Sequence, residues 1–506
     1  MSETVQPPQQ DIAALAKGGR TNVLGFVLRL VARLPFLFIA GRLYGPEIVG
    51  RFALAVLVVE FAALLATLGL KRGLAQALTS TDRPHAHVAW DALAVAFVFS
   101  VIASAFLFAF PQIMYPNSQV IGYERLLPLI VFAIAWSDVS LAALAYRLNV
   151  KATVTARAVI EPWTISLAAW GFYYVSARDG LIFAYVLSMV AALTASIIPF
   201  VRSYGLPQGW RPHFATIAGL ARRNVPLAGA DAIEWGTRNV DRFILGLLFG
   251  PAVVGIYYMA QQVASLPQKL KTSFDPVLGP VITQSLAAGD KAAVAGQVRQ
   301  VGFWILAAQL GLALMGSIPA EGVMGVIGPQ FVAGAGALVF LLFAEVLASM
   351  GAVSESALVY MARHRNLMIG LVMLGFQIAL SFVAVAVMRE LGWPMMWQAA
   401  GPAAALAISL AVTSLVKSIF LSRLLGQPVS GWRWPLVLAA AAAGAVGWVA
   451  VQVPEWAELL IGIPAIILTY GYILYRWAFR DEDRALFRKV PRGDEPVLPT
   501  GPTSGV

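Results

Sequence analysis

The sequence predicts an all-α integral membrane protein with about 14 transmembrane helices in two related halves. Three observations support this prediction. Hydrophobic residues make up 59% of the 506 residues and charged residues only 12%, which is more apolar surface than one soluble core could bury. The apolar residues fall into long windows, and one stretch of sequence occurs twice.

The repeated stretch reads AGRLYGPEIVGRFALA at residues 40–55 and LGLLFGPAVVGIYYMA at residues 245–260, a constant offset of 205. Seven of the sixteen positions are identical, including the Gly-Pro pairs at 45–46 and 250–251. Gly-Pro predicts a tight turn between consecutive helices. Two related halves in so hydrophobic a chain are the usual construction of a secondary transporter, with the substrate path between them. The repeat therefore indicates transport.

Windows of about 20 apolar residues define the candidate spans. They lie near residues 22–42, 50–70, 88–110, 126–147, 157–177, 180–201, 225–249, 252–286, 299–318, 334–361, 366–388, 397–421, 434–452 and 458–478. The eighth and tenth windows are too long for one straight crossing, so we expect tilt or a kink there. The polar residues before the first window lack the layout of a cleavable signal, so the first span is expected to remain as an anchor.

Loop charges predict the orientation. The connections at 111–124, 250–253, 319–333 and 453–457 contain neither Lys nor Arg, whereas the alternate connections and the C-terminal tail are basic. By the positive-inside rule both termini are expected in the cytoplasm, which requires an even number of spans. The alternation holds along the chain and favours fourteen spans, or twelve if two windows are misread.

Ionisable side chains at membrane depth carry the candidate chemistry, because they are costly there and usually serve function. On the first span, Arg29 and Arg33 share one face of the helix, and that span carries no acid to pair with them. Glu60 on the second span can neutralise only one of the two. The offset of 205 also pairs Arg33 with Arg238 of the second half. We therefore expect Arg29 and Arg33 to attract an anion.

The seventh and eighth spans carry further polar stripes. Those of the seventh fall within an arc of roughly 100° and comprise Asp231, Glu234, Arg238, Asp241 and Arg242. Those of the eighth follow a 4-3-4-3 spacing and comprise Gln261, Ser265, Gln268, Thr272 and Asp275, with Lys271 beside them. Such stripes cannot face hydrocarbon, so they are expected to face the bundle interior or a water-filled cavity.

A second interpretation of the seventh span stays open. Arg238 can be neutralised within its own helix by Glu234 at i−4 and by Asp241 at i+3, which would make it a packing residue. Glu161 beside Arg157, and Lys417 near a helix end, are interpreted as interfacial pairs or snorkelling side chains. The acids that we regard as candidates for either ion coupling or packing are Glu60, Asp138, Asp231, Glu234, Asp241, Asp275, Glu345 and Glu355.

Several functional classes are disfavoured by the sequence. Cysteine is absent, which excludes disulfides, thiolate metal sites and Cys nucleophiles. The four histidines lie in basic loops without the spacing of a metal site, and no phosphate-binding loop for ATP occurs. The net charge of +10 is spread over loops rather than forming a basic and aromatic surface for nucleic acid. We expect neither an enzyme, nor a cofactor, nor a metal, nor a nucleic-acid partner.

The motifs resemble a known family. AGRLYGPEIVGRFALA, followed by LATLGLKRGLAQAL, resembles the opening of polysaccharide-export proteins of the multidrug/oligosaccharidyl-lipid/polysaccharide (MOP) exporter superfamily. The second half, RNVDRFILGLLFGPAVVGIYYMA, is similar to the seventh and eighth spans of those proteins. With the span count and orientation, the resemblance covers roughly residues 18–480.

The resemblance implies two six-helix lobes around a central cavity, followed by two extra helices, in the bacterial inner membrane. The expected organisation is a polar cytoplasmic N-terminus at 1–18, an N-terminal lobe at 19–201, a basic cytoplasmic inter-lobe loop at 202–224, a C-terminal lobe at 225–421, the extra helices at 434–478 and a disordered cytoplasmic tail at 479–506. In related murein-precursor flippases the extra pair borders a groove for a lipid tail. The same groove, or plain small-residue packing, is open here.

The resemblance also implies a substrate, a saccharide linked to undecaprenyl pyrophosphate. Arginine pairs bidentately with phosphate oxygens, so the residues of this chain fit an anionic head group. The residues expected to bind it are Arg29, Arg33, Arg238, Arg242, Gln261, Gln268 and Lys271. Membrane lipids, a polysaccharide polymerase and assembly proteins are the further partners that this implies.

Two other functions remain open. An ion-coupled multidrug exporter of the same superfamily would share the fold, but its first span generally carries an acid where this chain has Arg29 and Arg33. A membrane scaffold of an envelope polysaccharide assembly complex would need a docking domain or a metal-binding acidic motif. The sequence shows neither of these features.

Overall fold

The computed structural model describes residues 31–32, 34–272, 275–454, 457–480 and 483, and the regular structure in this part of the chain is entirely helical. Residues 34–39 are α-helical and continue into a π-helical turn, Ala40–Tyr44. The α-helices that follow are α1 Gly45–Ala66, α2 Leu70–Thr79, α3 His85–Ala109, α4 Ile130–Tyr146, α5 Val150–Val154, α6 Glu161–Tyr173, α7 Gly180–Tyr204, α8 Phe214–Leu248, α9 Pro251–Thr272, α10 Asp275–Ala287, α11 Lys291–Ser317, α12 Ala320–Ile327, α13 Ala335–Met361, α14 Arg363–Glu390, α15 Met395–Leu425, α16 Pro435–Ala450 and α17 Ile463–Ile473.

The predicted all-α fold class is confirmed. Each of the second to fourteenth predicted windows overlaps an observed helix, because long apolar runs hydrogen-bond internally as helices. Among the described residues, nine helical segments are long and apolar enough to cross a membrane. The count of fourteen crossings stays a prediction.

The inter-lobe loop is shorter than the predicted segment 202–224. Helix α7 ends where Gly205 adopts a φ of 75°, and α8 already begins at Phe214. The N-terminal part of α8 carries Arg222 and Arg223, so a search for apolar windows could not detect that this part is helical. The Trp210 indole donates a hydrogen bond of 2.8 Å to Asp91, which fastens the loop to α3.

The Gly-Pro turns lie at equivalent places in the two halves, as predicted. Gly45 has a φ of 79° and a ψ of 170°, a conformation that favours glycine, and it separates the first helix from α1. Gly250 and Pro251 stand in the same way between α8 and α9. We call this end of the bundle, where both turns lie, the Gly-Pro end.

The eighth predicted window, 252–286, is helical in its described residues on both sides of positions 273–274, which lie outside the described residues, so the kink that its length suggested stays a prediction. Of the tail predicted at 479–506, residues 479, 480 and 483 are described, and the expectation of disorder for the other residues stays a prediction. Asp483 is fully buried and accepts hydrogen bonds from Trp304 Nε1 at 2.8 Å and from Arg433 Nη1 at 2.5 Å. A carboxylate with buried donors holds this segment against α11.

Candidate functional site

The polar stripe of α8 is the centre of the candidate site. Arg238 Nη1 lies 3.3 Å from Glu345 Oε1 of α13, and the Arg238 side chain remains 31% exposed. Glu345 is nearly buried, and its Oε2 has no hydrogen-bond partner among the described residues. The site thus presents an accessible guanidinium whose acidic partner comes from a helix about a hundred residues later.

Arg242 follows one turn further along α8 and is buried, with 7% of its surface exposed. It donates a hydrogen bond to Asn239, and its guanidinium carbon stands 5.4 Å from the centre of the Tyr258 ring. A cation over an aromatic face is stabilised by the ring quadrupole. Its Nε has no hydrogen-bond partner in the described part of the chain, so Arg242 retains a donor.

Asp241 and Gln261 form a contact between α8 and α9. Asp241 is fully buried and accepts hydrogen bonds from the Tyr257 hydroxyl at 2.5 Å and from Gln261 Nε2 at 3.3 Å. Gln261 Nε2 also lies 3.2 Å from the Arg238 carbonyl oxygen. These contacts support a positioning role, in which Gln261 and Asp241 fix the backbone that carries Arg238.

Asp231 and Glu234 bind a partner from the first half of the chain. Arg72 of α2 places Nε 2.9 Å from Asp231 Oδ1 and Nη2 2.6 Å from Glu234 Oε2. The sequence interpretation paired Glu234 with Arg238 of the same helix and named no partner for Asp231. Arg72 lies more than 150 residues away in sequence, so helical spacing could not reveal the pair.

A second charged cluster lies within the first half. Arg157 donates to Asp138 and, at 2.7 Å, to Glu161, while Lys71 Nζ lies 3.4 Å from Asp138 Oδ2. The predicted pair of Arg157 and Glu161 is therefore present. Two cations meet two acids, so the cluster is balanced and supports packing rather than anion binding.

Two further acids have partners. Glu60 accepts a hydrogen bond of 3.4 Å from the Tyr185 hydroxyl. Glu355 Oε2 lies 3.0 Å from Lys417 Nζ, and Lys417 is 5% exposed. Lys417 was expected to form an interfacial pair or to snorkel; it is paired with Glu355, whose side chain is 48% exposed, which fits the first of these interpretations.

The structure does not describe the side chains of the remaining predicted site residues. Arg29 and Arg33 are not among the described residues, and for Gln268, Lys271 and Asp275 the side chains are not described. Their roles, and the contacts of Arg33 with Glu60 or Arg238, stay predictions.

The structure also contains an apolar cavity of about 300 Å³. Its lining comes from the first helix, α9, α11, α12, α13 and the C-terminal segment, and includes Leu34, Leu37, Val263, Met315, Val326, Leu342 and Leu459. The scattered origin of these residues is why the sequence did not reveal the cavity.

The polar stripe can bind an anion through the exposed guanidinium of Arg238. Groups of three or more His, Asp and Glu side chains suited to a metal ion do not occur within the described part of the chain. The donors at the site are guanidinium and amide groups, which suit oxyanions.

The chain was compared with known proteins. Residues 39–315, more than half of the chain, match the model of a family described as polysaccharide biosynthesis protein. No curated protein matches the chain.

Three solved structures are similar. The lipid II flippase MurJ, in an inward closed conformation, has a TM-score of 0.71 at 10% identity, covering 90% of this chain and 100% of that one. A multidrug resistance MATE family transporter of the MOP superfamily, facing inward, has a TM-score of 0.63 at 15% identity, covering 79% and 98%. A MOP superfamily transporter from Pyrococcus furiosus has a TM-score of 0.54 at 14% identity, covering 83% and 96%. At these identities the likeness shows the fold, which here is that of transporters and a flippase rather than of enzymes.

Proposed function

The chain belongs to the polysaccharide biosynthesis protein family, and we propose that it is a flippase that moves a lipid-linked saccharide across the bacterial inner membrane. The proposed substrate carries its glycan on undecaprenyl pyrophosphate. The membership confirms the family resemblance of the Gly-Pro repeats, and the fold of MOP superfamily transporters supports the transport.

Two features support the proposal, namely the accessible guanidinium on the polar stripe of α8 and an apolar cavity lined by residues of both halves. A lipid pyrophosphate joins a doubly charged head to a long hydrocarbon chain, so its site needs cations next to an apolar surface. Arg238 offers an accessible guanidinium, and the cavity near Val263 and Leu342 offers the apolar surface. A water-soluble sugar would need only the first of these features.

In the proposed mechanism, the two halves rock about the cavity and expose it to each side of the membrane in turn. The pyrophosphate binds Arg238 and Arg242, with Arg29, Arg33, Gln268 and Lys271 as further candidate contacts. Such a rotation of one half against the other breaks and re-forms non-covalent contacts between them, so it needs no covalent chemistry. The chain has no ATP-binding motif in its sequence, so an ion gradient or the membrane potential is the proposed energy source.

The proposed orientation follows the loop charges, with both termini in the cytoplasm and the Gly-Pro end on the periplasmic side. The proposed lobes end near residues 201 and 421, and α16 and α17 form the extra pair. Leu459 and Ile463 line the apolar cavity, which supports a role of this pair at the lipid tail. A polysaccharide polymerase is a proposed neighbour in the membrane.

The proposal is tested with purified protein in liposomes that carry a fluorescent oligosaccharide on undecaprenyl pyrophosphate. A membrane-impermeant quencher measures the fraction of the substrate on each side. We expect Arg238→Ala to abolish protein-dependent movement and Arg238→Lys to retain part of it, because lysine keeps the charge but loses the planar fork. Arg389→Ala is the matched control, since Arg389 is exposed near the end of α14.

Two outcomes would contradict the flippase proposal. In one, the wild type moves the labelled lipid no faster than empty liposomes do. In the other, it moves cationic dyes against an ion gradient while ignoring the lipid, which would establish the multidrug exporter instead.

A further inference from the structure

The two copies of the Gly-Pro motif touch one another. A Cβ atom at Gly50 would lie 1.7 Å from the carbonyl oxygen of Pro251, and a Cβ atom at Gly255 would lie 1.9 Å from that of Pro46. Real Cβ atoms essentially never approach heavy atoms within 3.0 Å. Only glycine therefore permits the backbones of α1 and α9 to cross this closely.

The contact is reciprocal. Gly50 and Gly255 occupy the same position of the repeat, as do Pro46 and Pro251. Each glycine of one half meets the proline carbonyl of the other, so a local two-fold axis passes between the two helices at this point. The neighbours Val49 and Val254 are fully buried, so solvent is excluded from the helix crossing at these positions.

Other contacts close the same end of the bundle. Asn117 Nδ2 lies 2.9 Å from the Gly246 carbonyl oxygen and 2.7 Å from that of Leu247. Arg42 Nη2 donates to the Val326 carbonyl oxygen at 3.0 Å. These hydrogen bonds join the first half to the second at the Gly-Pro end, where the glycines set how close the halves can come.

We propose that Gly50 and Gly255 form the closing contact of a gate at the Gly-Pro end. The halves meet there through backbone atoms, and a side chain at either position holds them apart. The gate concerns the conformation of the protein and holds for any substrate, so it goes beyond the flippase proposal and does not depend on it.

The gate can be observed with a pair of spin labels, because the chain has no cysteine of its own. Gln112→Cys and Glu321→Cys place the labels on exposed residues of equivalent loops in the two halves. We expect a short distance to dominate in the parent protein. Gly50→Ala and Gly255→Ala should each lower the ratio of the short to the long distance roughly tenfold or more, because the added methyl group meets backbone that cannot yield.

Gly250→Ala is the matched control, since a Cβ atom there meets nothing within 4 Å. It should keep the parent distribution of distances. Gly246→Ala gives a graded variant, in which the Cβ atom would lie 2.4 Å from the flexible end of the Leu54 side chain. It should open the gate partly, and Leu54→Ala in the same chain should close it again. This pair tests the gate even if Gly50→Ala does not fold.

The proposal is overturned if folded Gly50→Ala or Gly255→Ala protein shows the distances of the parent. It is also overturned if Gly246→Ala opens the end but Leu54→Ala does not restore it. If the glycine variants change the distances as expected but the parent protein moves no lipid-linked saccharide, only the flippase proposal is contradicted.

Discussion

Arg238 of α8 and Glu345 of α13 are joined by a contact of 3.3 Å between Nη1 and Oε1, so the accessible cation of the candidate site already has an anionic partner. An anionic substrate must share the guanidinium with this carboxylate or displace it. The pair therefore sets the affinity of the site, because a fixed acid competes with every phosphate oxygen that reaches Arg238.

Replacing Glu345 should strengthen anion binding. Glu345→Gln removes the competing charge, and a partly exposed pair contributes about 1 kcal/mol, so we expect binding roughly fivefold tighter. Titration calorimetry with farnesyl pyrophosphate in detergent measures the change. Glu355→Gln is the matched control, because Glu355 pairs with Lys417 instead. Equal affinities of Glu345→Gln and the parent protein would show that Glu345 does not compete with the anion.

Arg72 should stabilise the contact between α2 and α8. Arg72→Ala leaves Asp231 buried without its cation, at a cost of about 1–3 kcal/mol in the free energy of unfolding, which is moderated by the exposure of Arg72. Asp231→Asn in the same chain should recover most of the loss, because the neutral amide needs no counter-charge. Thermal unfolding of the two variants measures both effects. No loss in Arg72→Ala would mean that water replaces the pair.

Asp483 should anchor the segment after α17. Asp483→Ala removes the acceptor of the buried donors Gln300 and Trp304, which costs about 1–3 kcal/mol each when unsatisfied, whereas Arg433 keeps its hydrogen bond to the Ala478 carbonyl oxygen. We expect a lower melting temperature and earlier cleavage of the C-terminus by trypsin. Glu390→Gln, on an exposed acid of α14, is the control. Unchanged proteolysis would show that other contacts hold the segment.

The proposed orientation gives a topology test. Reporter fusions after residues 118, 253 and 325 should report the periplasm, and a fusion after residue 208 should report the cytoplasm. A cytoplasmic signal at both 253 and 325 would contradict the assignment of the second lobe.

The fold was largely predictable because its signals are local. Apolar runs of membrane length define the helices, and the repeat of residues 40–55 at 245–260 indicates that the chain has two related halves. Helix α8 shows the limit of this approach, since its first turns are basic and an apolar window begins only later. A helix satisfies its own backbone whether or not its surface is apolar.

The site was predictable in residue type but not in pairing. Arg238 and Arg242 do lie on a polar stripe of α8, as helical periodicity indicates. Arg242 bonds to Asn239 of its own helix, but Glu345 and Tyr258, which contact Arg238 and Arg242, come from other helices. Such pairings depend on tertiary packing, and the paired residues have no fixed spacing in the sequence.

The reciprocal contact of Gly50 and Gly255 has a genetic consequence. If a half-length chain formed a dimer with a second copy of itself, one codon would specify the glycine on both sides of the contact. A single substitution would then damage both sides together. In the joined chain each glycine is specified by its own codon, so either can change alone. The close contact then requires glycine at two separately encoded positions, whereas Arg51 and Ile256, which share the next repeat position, differ, and Arg51 has its own partner in Glu124.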